Sequence, residues 1–545
     1  MNKKFTGKAG AFLLIASLTA SLFTGCQGKE KQPTAPANDK AASTQTGAAQ
    51  TYPLQTNVTL KYWMSLNTSA NVTNMGETPF FQELQKKTGV KLTFIHPPAN
   101  QATESLNMML ASGELPDLIE NDWYNFPGGP EKAIKDGYII KLNDTIEKNS
   151  PNLKAYLKSK PDVDKLVKTD SGSYYVYPFL RGDEVLTVFY GGMMRKDWLD
   201  DLGLKVPATM DEWYTVLKAF KEKKGAEAPA SFVMVPNNDT PFSNGDALIG
   251  AFGISKSFYV EGGKVKFGPA EPAFKDFLIT MHKWYSEGLL DKNVATADSK
   301  AVDANITNGK SGATFGYNGG TLGKYLTAMK EKDPKFDLVA VPYPTLKAGE
   351  TPKLGQKDFA YSLNGSVAIT SKCKNVDIAA KFLDYGYGEE GRLLYNYGIE
   401  GQSYKMENGK PIYTDLIMKN PEKLSLAQAM SKYLRANSFG PFIQDKGYIE
   451  QYLQMPQQKA AVNTWGNTDE IKYKLPRVTP TPEESTVLAK IKNEVDTAVD
   501  EYMIKVILGA DSVDNFDKYM DKLKKMNIDK AIEINQNALD RFNKR

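Results

Sequence analysis

Two histidines and two cysteines are all that this chain of 545 residues carries. His96 and His282 cannot supply the usual zinc set with one unpaired thiol, and no His-Glu-x-x-His motif occurs. A Ser-His-Asp triad would have to use one of the same two imidazoles. His282 falls in a helical stripe, where a solvated or hydrogen-bonded histidine is the simpler reading, and Cys373 reads as a buried or idle thiol. A phosphate-binding loop is also missing: Gly319-Gly-Thr-Leu-Gly-Lys324 has the wrong spacing and runs into Tyr325. No dinucleotide fingerprint opens a helix after a strand. Neither sign of charge is in excess. The formal +4 includes Lys3, Lys4 and Lys8, and without these three, 65 basic side chains face 64 acidic ones. Nucleic-acid binders usually concentrate a basic excess on one face, and nothing here suggests one. Beyond residue 22 no run is long and apolar enough to cross a bilayer, which takes about 20 apolar residues. No metal set and no cofactor are expected.

What is present begins at the N-terminus. Lys3, Lys4 and Lys8 accompany an apolar run from Ala9 to Leu22, broken only by Gly10, Ser17, Thr19 and Ser21. A positive start, a short apolar stretch and small residues describe a secretory signal. Leu22-Phe23-Thr24-Gly25-Cys26 resembles a bacterial lipobox, with Phe23 standing where Leu is usual. That resemblance implies a signal peptide over 1–25 and a lipid-carrying Cys26, a palmitate-type anchor, as the first mature residue. The linker that follows, to residue 51, is Lys, Gln, Pro, Ala, Ser, Thr and Gly with almost no apolar bulk. It cannot bury enough surface to offset its ordering entropy, so a flexible tether is expected.

The roughly 495 residues beyond the tether exceed what one core usually serves, so two lobes are expected. Leu60, Tyr62 and Met64 alternate with Lys61 and Trp63, which reads as a strand. Phe80, Phe81 and Leu84 recur at helical spacing up to Gly89; Val90, Leu92 and Phe94 alternate again. Leu106, Met109 and Leu110 mark a helix closed by Gly113, and Leu118-Ile119 begins a third strand. Strand, helix, strand, helix, strand predicts an α/β lobe with a mainly parallel sheet. Thr209-Met210-Asp211-Glu212 is a capping box opening a helix that places Trp213, Leu217 and Phe220 on one face before Gly225. Phe274, Phe277, Leu278, Met281 and Trp284 form another stripe, and the C-terminus is helical through Phe542.

Six segments then carry a resemblance, in order along the chain. They are Ala111-Ser-Gly-Glu-Leu-Pro-Asp-Leu118, Met194-Arg-Lys-Asp-Trp-Leu-Asp-Asp-Leu-Gly-Leu-Lys-Val-Pro207, and Glu261-Gly-Gly-Lys-Val-Lys-Phe-Gly268. Trp284-Tyr-Ser-Glu-Gly-Leu-Leu-Asp291, Gly398-Ile-Glu-Gly-Gln-Ser-Tyr404 and Asn535-Gln-Asn-Ala-Leu-Asp-Arg541 complete them. The chain resembles the extracellular solute-binding lipoproteins of carbohydrate ABC importers, in their long Bacillus- and Paenibacillus-type oligosaccharide-binding branch. The resemblance implies an α/β, two-lobed periplasmic-binding-protein-like fold with a hinge. Lobe 1 would comprise 52–180 plus 364–400, and lobe 2 would comprise 181–363 plus 401–545. Hinge crossings would fall near Tyr177-Pro178-Phe179 and between Ser362 and Ile369. Some relatives carry an Asp/Asn-rich calcium loop after the capped helix. Here Lys221-Glu-Lys-Lys-Gly-Ala-Glu-Ala-Pro229 lacks alternating oxygen ligands, and Asn237, Asn238, Asp239 and Asp246 lack loop spacing, so no structural calcium is expected there.

The expected role is capture of an oligosaccharide at the extracellular face of the cell membrane and its delivery to ABC permease subunits. The protein would act as a monomer, held to the membrane by its lipid alone, binding no nucleic acid and catalysing nothing. Two rivals remain: a secreted glycosidase, which needs only a carboxylate pair among 64 acidic residues, and a surface adhesin without transport. A sugar cleft needs flat aromatics to stack on and polar side chains to exchange hydrogen bonds. In open α/β lobes ligands gather at the carboxyl ends of strands. That rule selects Trp63 and Asn67 after the first strand and Glu120, Asp122, Trp123 and Tyr124 after the third. It also selects Tyr317 and Asn318 at the end of Ala313-Thr-Phe-Gly-Tyr-Asn. Arg181 beside the hinge and Tyr404 in a family segment complete the set. Each has a structural alternative: Trp63 capping the core, Trp123 anchoring the loop Phe126-Pro-Gly-Gly-Pro130, Arg181 in a hinge ion pair, Tyr404 as packing.

Overall fold

The strand expected around Leu60 forms as Thr59–Trp63, and its partner Lys91–Ile95 runs parallel to it. Between them lies the helix Pro79–Thr88. Thr78 accepts the Phe81 N–H at its start, and Gly89 ends it at φ 76°, a backbone state that costs glycine little. The next helix, Ala102–Ser112, stops at Gly113 in the same way and feeds the strand Leu118–Glu120. A computed structural model describes residues 50–67, 72–234, 240–242 and 245–545. Cys26, most of the tether, and Asn237, Asn238 and Asp239 lie outside the described residues.

The first sheet has six strands in the order Ile443–Gln444, Tyr177–Arg181, Tyr361–Ile369, Leu118–Glu120, Thr59–Trp63, Lys91–Ile95. All neighbours pair in parallel except Tyr361–Ile369, which is antiparallel to both of its own. That reversed strand is where the chain returns from the second lobe. Along the strand Thr59–Trp63, Thr59 and Lys61 are exposed while Leu60 and Tyr62 are buried, so the alternation holds as far as Tyr62 and ends at Trp63, which is buried together with Met64.

The second lobe is built on a three-stranded antiparallel sheet, Ala313–Tyr317, Tyr190–Arg195 and Leu338–Val341. The helix Met210–Lys224 starts with the expected capping box, Thr209 bonding to the Glu212 N–H and Glu212 reaching back. Its Trp213 stacks on Phe315 at 5.6 Å. Trp465 lies against the sheet at Gly191, where a Cβ would come within 2.4 Å of the indole, and donates from Nε1 to the Gly192 carbonyl at 3.0 Å. A glycine is required at 191 for that approach.

The chain passes between the lobes after the strand Tyr177–Arg181, again between Leu338–Val341 and Tyr361–Ile369, and once more between Ile443–Gln444 and Trp465. The expected crossing points themselves, Tyr177-Pro178-Phe179 and Ser362 to Ile369, sit inside strands of the first sheet. The C-terminal part is shared. Phe442, Ile443 and Val478 pack into the first core although they follow residue 401. The helix Ile528–Asn543 sets Ile528 and Ala531 in the second core and Ala538, Leu539 and Phe542 in the first. A third, smaller core gathers Leu186, Tyr397, Tyr404, Tyr413 and Tyr448.

Candidate ligand-binding cleft

A cavity of about 1250 Å³ opens between the two lobes. One wall is the turn after the strand Leu118–Glu120, from Tyr124 to Pro130; the opposite wall is Phe242, Asp246, Tyr259 and one face of the helix Pro482–Ile507. Phe189, Gln356, Asp358 and Arg477 close the floor where the chain crosses. The cavity thus lies at the carboxyl end of the third strand, as open α/β sheets generally place ligands.

Its polar groups are tied to one another. Arg477 Nη2 is 2.8 Å from Asp358 Oδ1, and Arg181 approaches the same carboxylate at 3.7 Å. Burial works against the Asp358 charge, but Arg477, Lys474 and Arg181 outweigh it and hold the carboxyl below its usual range. Arg181 Nη1 also donates to the Leu186 carbonyl at 2.7 Å, and its guanidinium lies 4.9 Å from the Phe189 ring centre. Gln356 accepts from the Phe189 and Tyr190 N–H groups and donates to the Thr187 carbonyl, fixing the crossing strand. Aromatic faces at Phe126 and Phe189 stay partly open.

The residues selected from the sequence divide sharply. Tyr124 lines the cleft, with its hydroxyl donating to the Val478 carbonyl at 2.5 Å. Asp122 shapes the same turn by accepting the Asn125 N–H at 3.1 Å and its amide at 2.7 Å. Tyr317 stacks behind Phe189 at 6.0 Å, and Arg181 is the hinge ion pair. Asn318 is buried and donates to the Gln458 carbonyl. Asn67 bonds Ser431 Oγ at 3.1 Å. Glu120 accepts from the Tyr62 hydroxyl at 2.8 Å and pairs with buried Arg435 at 2.7 Å. Three expectations are corrected. Trp63 and Trp123 are buried in the first core, and Trp123 donates from Nε1 to the Ile119 carbonyl while stacking on Phe126 at 5.7 Å. Tyr404 is buried beside Tyr397 in the small core. Asp358, Arg477, Phe189 and Glu470 escaped the sequence reading because no local pattern links positions 119 residues apart. The histidines are structural: His96 Nε2 accepts the Met75 N–H, so Nδ1 carries the proton that it donates to the Met64 carbonyl.

A bacterial extracellular solute-binding protein family model matches residues 73–393. The chain belongs to that family. It is 26% identical to the fructooligosaccharide ABC transporter substrate-binding protein FusA of Streptococcus pneumoniae, over 90% of this chain and 92% of that one. It is also 26% identical to the polygalacturonan/rhamnogalacturonan-binding protein YtcQ of Bacillus subtilis, over 60% and 64% of the two chains. Among solved structures, the alginate-binding protein AlgQ2 without calcium ion superposes with a TM-score of 0.73 at 28% identity, covering 89% of this chain and 99% of that one. The two-lobed architecture is therefore the family's own. No described helix is long and apolar enough to cross a membrane.

Two lining carboxyls of this solute-binding protein lose their protons at higher pH than carboxyls ordinarily do, and carry charge above about pH 7. Burial pushes Glu470 up to about 7, with Asp246 adding to the effect and Lys474 opposing it; burial also pushes Asp246 up to about 6. The folded protein therefore keeps protons that the unfolded chain releases. Stability falls as pH rises from about 4.5 to about 7 and levels off above, with Glu470 contributing on the order of 2 to 3 kcal/mol across that window. Melting from pH 4.5 to 8 is expected to show that decline, and Glu470→Gln to make it shallower, because Asp246 and Asp384, both pushed up to about 6 by burial, contribute the rest; an unchanged profile would remove Glu470 as a source.

Proposed function

We propose that the protein captures an oligosaccharide outside the cell, closes its two lobes on it without covalent chemistry, and hands it to an ABC importer. The observation that carries this is the cleft: a cavity of oligosaccharide size, between lobes joined by crossing segments, with aromatic faces and a hydrogen-bonded polar floor. The relatives' names agree on carbohydrate but span neutral fructooligosaccharide and acidic polygalacturonan. Lobe 1 is taken as 52–180 plus 364–400, extended by 359–363, which belong to the first sheet and core, and by the tail residues that pack there, and lobe 2 as the remainder. Ligand favours closure only by its preference for the closed state.

Calorimetric titration with a panel of plant and microbial oligosaccharides tests the reading. Tyr124→Ala is expected to weaken the sugar that binds by roughly tenfold, about 1.4 kcal/mol, while Tyr124→Phe keeps most of the affinity. Equal affinity in all three proteins would take Tyr124 out of the site. Sustained cleavage of the incubated sugar by pure protein would replace capture by hydrolysis.

The anchor belongs to the same proposal. Small residues before Cys26, and the polar tether behind it, support lipidation at that cysteine. Cys26→Ser is expected to release the protein from the membrane fraction into the medium. A variant that stays membrane-bound and acylated would place the anchor elsewhere.

A further inference from the structure

The cleft's own charges discriminate between the two classes of sugar that the function leaves open. Four basic side chains line it, Lys256, Lys474, Arg477 and Lys492. Each has a carboxylate partner that lines the same cavity. Lys256 is 2.6 Å from Asp500, Arg477 is 2.8 Å from Asp358, Lys474 is 3.5 Å from Glu470, and Lys492 pairs with Asp496 one helical turn on. Lys474 also donates to the Lys357 carbonyl at 2.8 Å. The fifth lining carboxylate, Asp246, accepts the Lys256 N–H at 2.7 Å. Four cations against five carboxylates leave the lining with no cationic surplus. The undescribed residues next to it in sequence, 235–239 and 243–244, contain no lysine or arginine that could change the balance.

A sugar carboxylate entering this cleft would have to share a cation already paired with a protein carboxylate. It would also sit among further negative charges in a partly desolvated space, where an unpaired charge is costly. Sugar hydroxyls meet no such conflict. They can donate to the spare lone pairs of paired carboxylates and accept from the remaining N–H groups of Arg477, without breaking an ion pair. From this geometry we infer that the protein selects a neutral oligosaccharide and excludes uronate-containing ones. The inference rests on the sugar-capture reading of the same cleft and refines it.

The test uses the full mature protein in calorimetric titrations at pH 7.5. One panel is neutral: fructo-, malto-, xylo-, manno- and galacto-oligosaccharides. The other is acidic: oligogalacturonides and alginate oligomers, with each oligogalacturonide also offered after reduction of its carboxyl groups to the neutral galactan. Binding of a neutral sugar, with no heat from the acidic panel, is the expected result. An oligogalacturonide that binds more tightly than its carboxyl-reduced form would overturn the inference while leaving sugar capture intact. No binding of any sugar would overturn the capture reading and this inference with it. Asp358→Asn leaves Arg477 and Arg181 without their carboxylate, and Asp500→Asn does the same for Lys256. At least one variant that melts cooperatively is expected to gain uronate binding by tenfold or more. If both fold and neither gains, the internal pairing does not set the preference and the inference falls.

Discussion

Trp123→Ala is expected to lower stability by about 3–5 kcal/mol, the range for deleting a large buried aromatic side chain. The ring has no exposed surface, its Nε1 is bonded to the Ile119 carbonyl, and Phe126 lies on it at 5.7 Å. The substitution removes a packed volume from the first core, whose close-packed neighbours collapse only partly to fill it. It also leaves the Ile119 carbonyl without that donor. Phe126 is the connection to function, because it lines the cleft and takes its position from Trp123 on one side and Tyr138 on the other. Weaker sugar binding is therefore expected as a secondary effect of a loosened wall. Trp123→Phe should recover part of the stability but not the hydrogen bond. Denaturant unfolding of the three proteins decides the matter. A variant as stable as wild type with binding alone lost would return the indole to the ligand.

The second large effect is expected at Arg435. Its side chain is 3% exposed and that of Glu120 10%, so their 2.7 Å contact is a buried ion pair. Arg435 also donates from Nε to the Phe439 carbonyl, and Glu120 accepts from Tyr62. The pair joins the end of the strand Leu118–Glu120 to the segment after the helix Leu426–Tyr433. Arg435→Ala strands a carboxylate in the core and should cost about 3–5 kcal/mol, whereas replacing both partners by apolar groups is often far less damaging. A cycle of Arg435→Met, Glu120→Leu and the double variant is expected to be strongly non-additive, the double losing less than the two singles together. Additive losses would mean that the two charges stabilise the fold independently. Both Glu120 oxygens thus have partners within the protein, the Tyr62 hydroxyl and the Arg435 guanidinium.

The candidate site was legible only at its edges. The turn after Leu118-Ile119, selected from the sequence, lines the cleft with Tyr124 and the Phe126–Pro130 stretch. Choosing among its aromatics was not possible from spacing. Trp123 and Tyr124 are adjacent, yet one is fully buried and the other reaches the cavity. Trp63 was selected because alternation sets it opposite Tyr62 and Met64; Thr59 and Lys61 on its side of the strand are indeed exposed, but at the strand's end Trp63 is buried by packing that no spacing reveals. Arg181 had two readings in the sequence, sugar contact or hinge ion pair, and the partner that the structure brings to 3.7 Å, Asp358, is 177 positions away along the chain.

Local chemistry determined the elements: Thr78 and Thr209 open helices, Gly89 and Gly113 close them, and the strand and helix periods place the apolar faces. Those are interactions among residues a few positions apart, so the sequence contains them outright. The order of six family segments, and the balance of basic and acidic residues, were likewise present in the chain itself. Tertiary structure alone decided three things: the reversed strand Tyr361–Ile369 in the first sheet, the sharing of the C-terminal helix between both cores, and the pairing of every lining cation with a lining carboxylate. Each depends on which distant segments meet, and that follows from burying both lobes at once and from no short pattern within either.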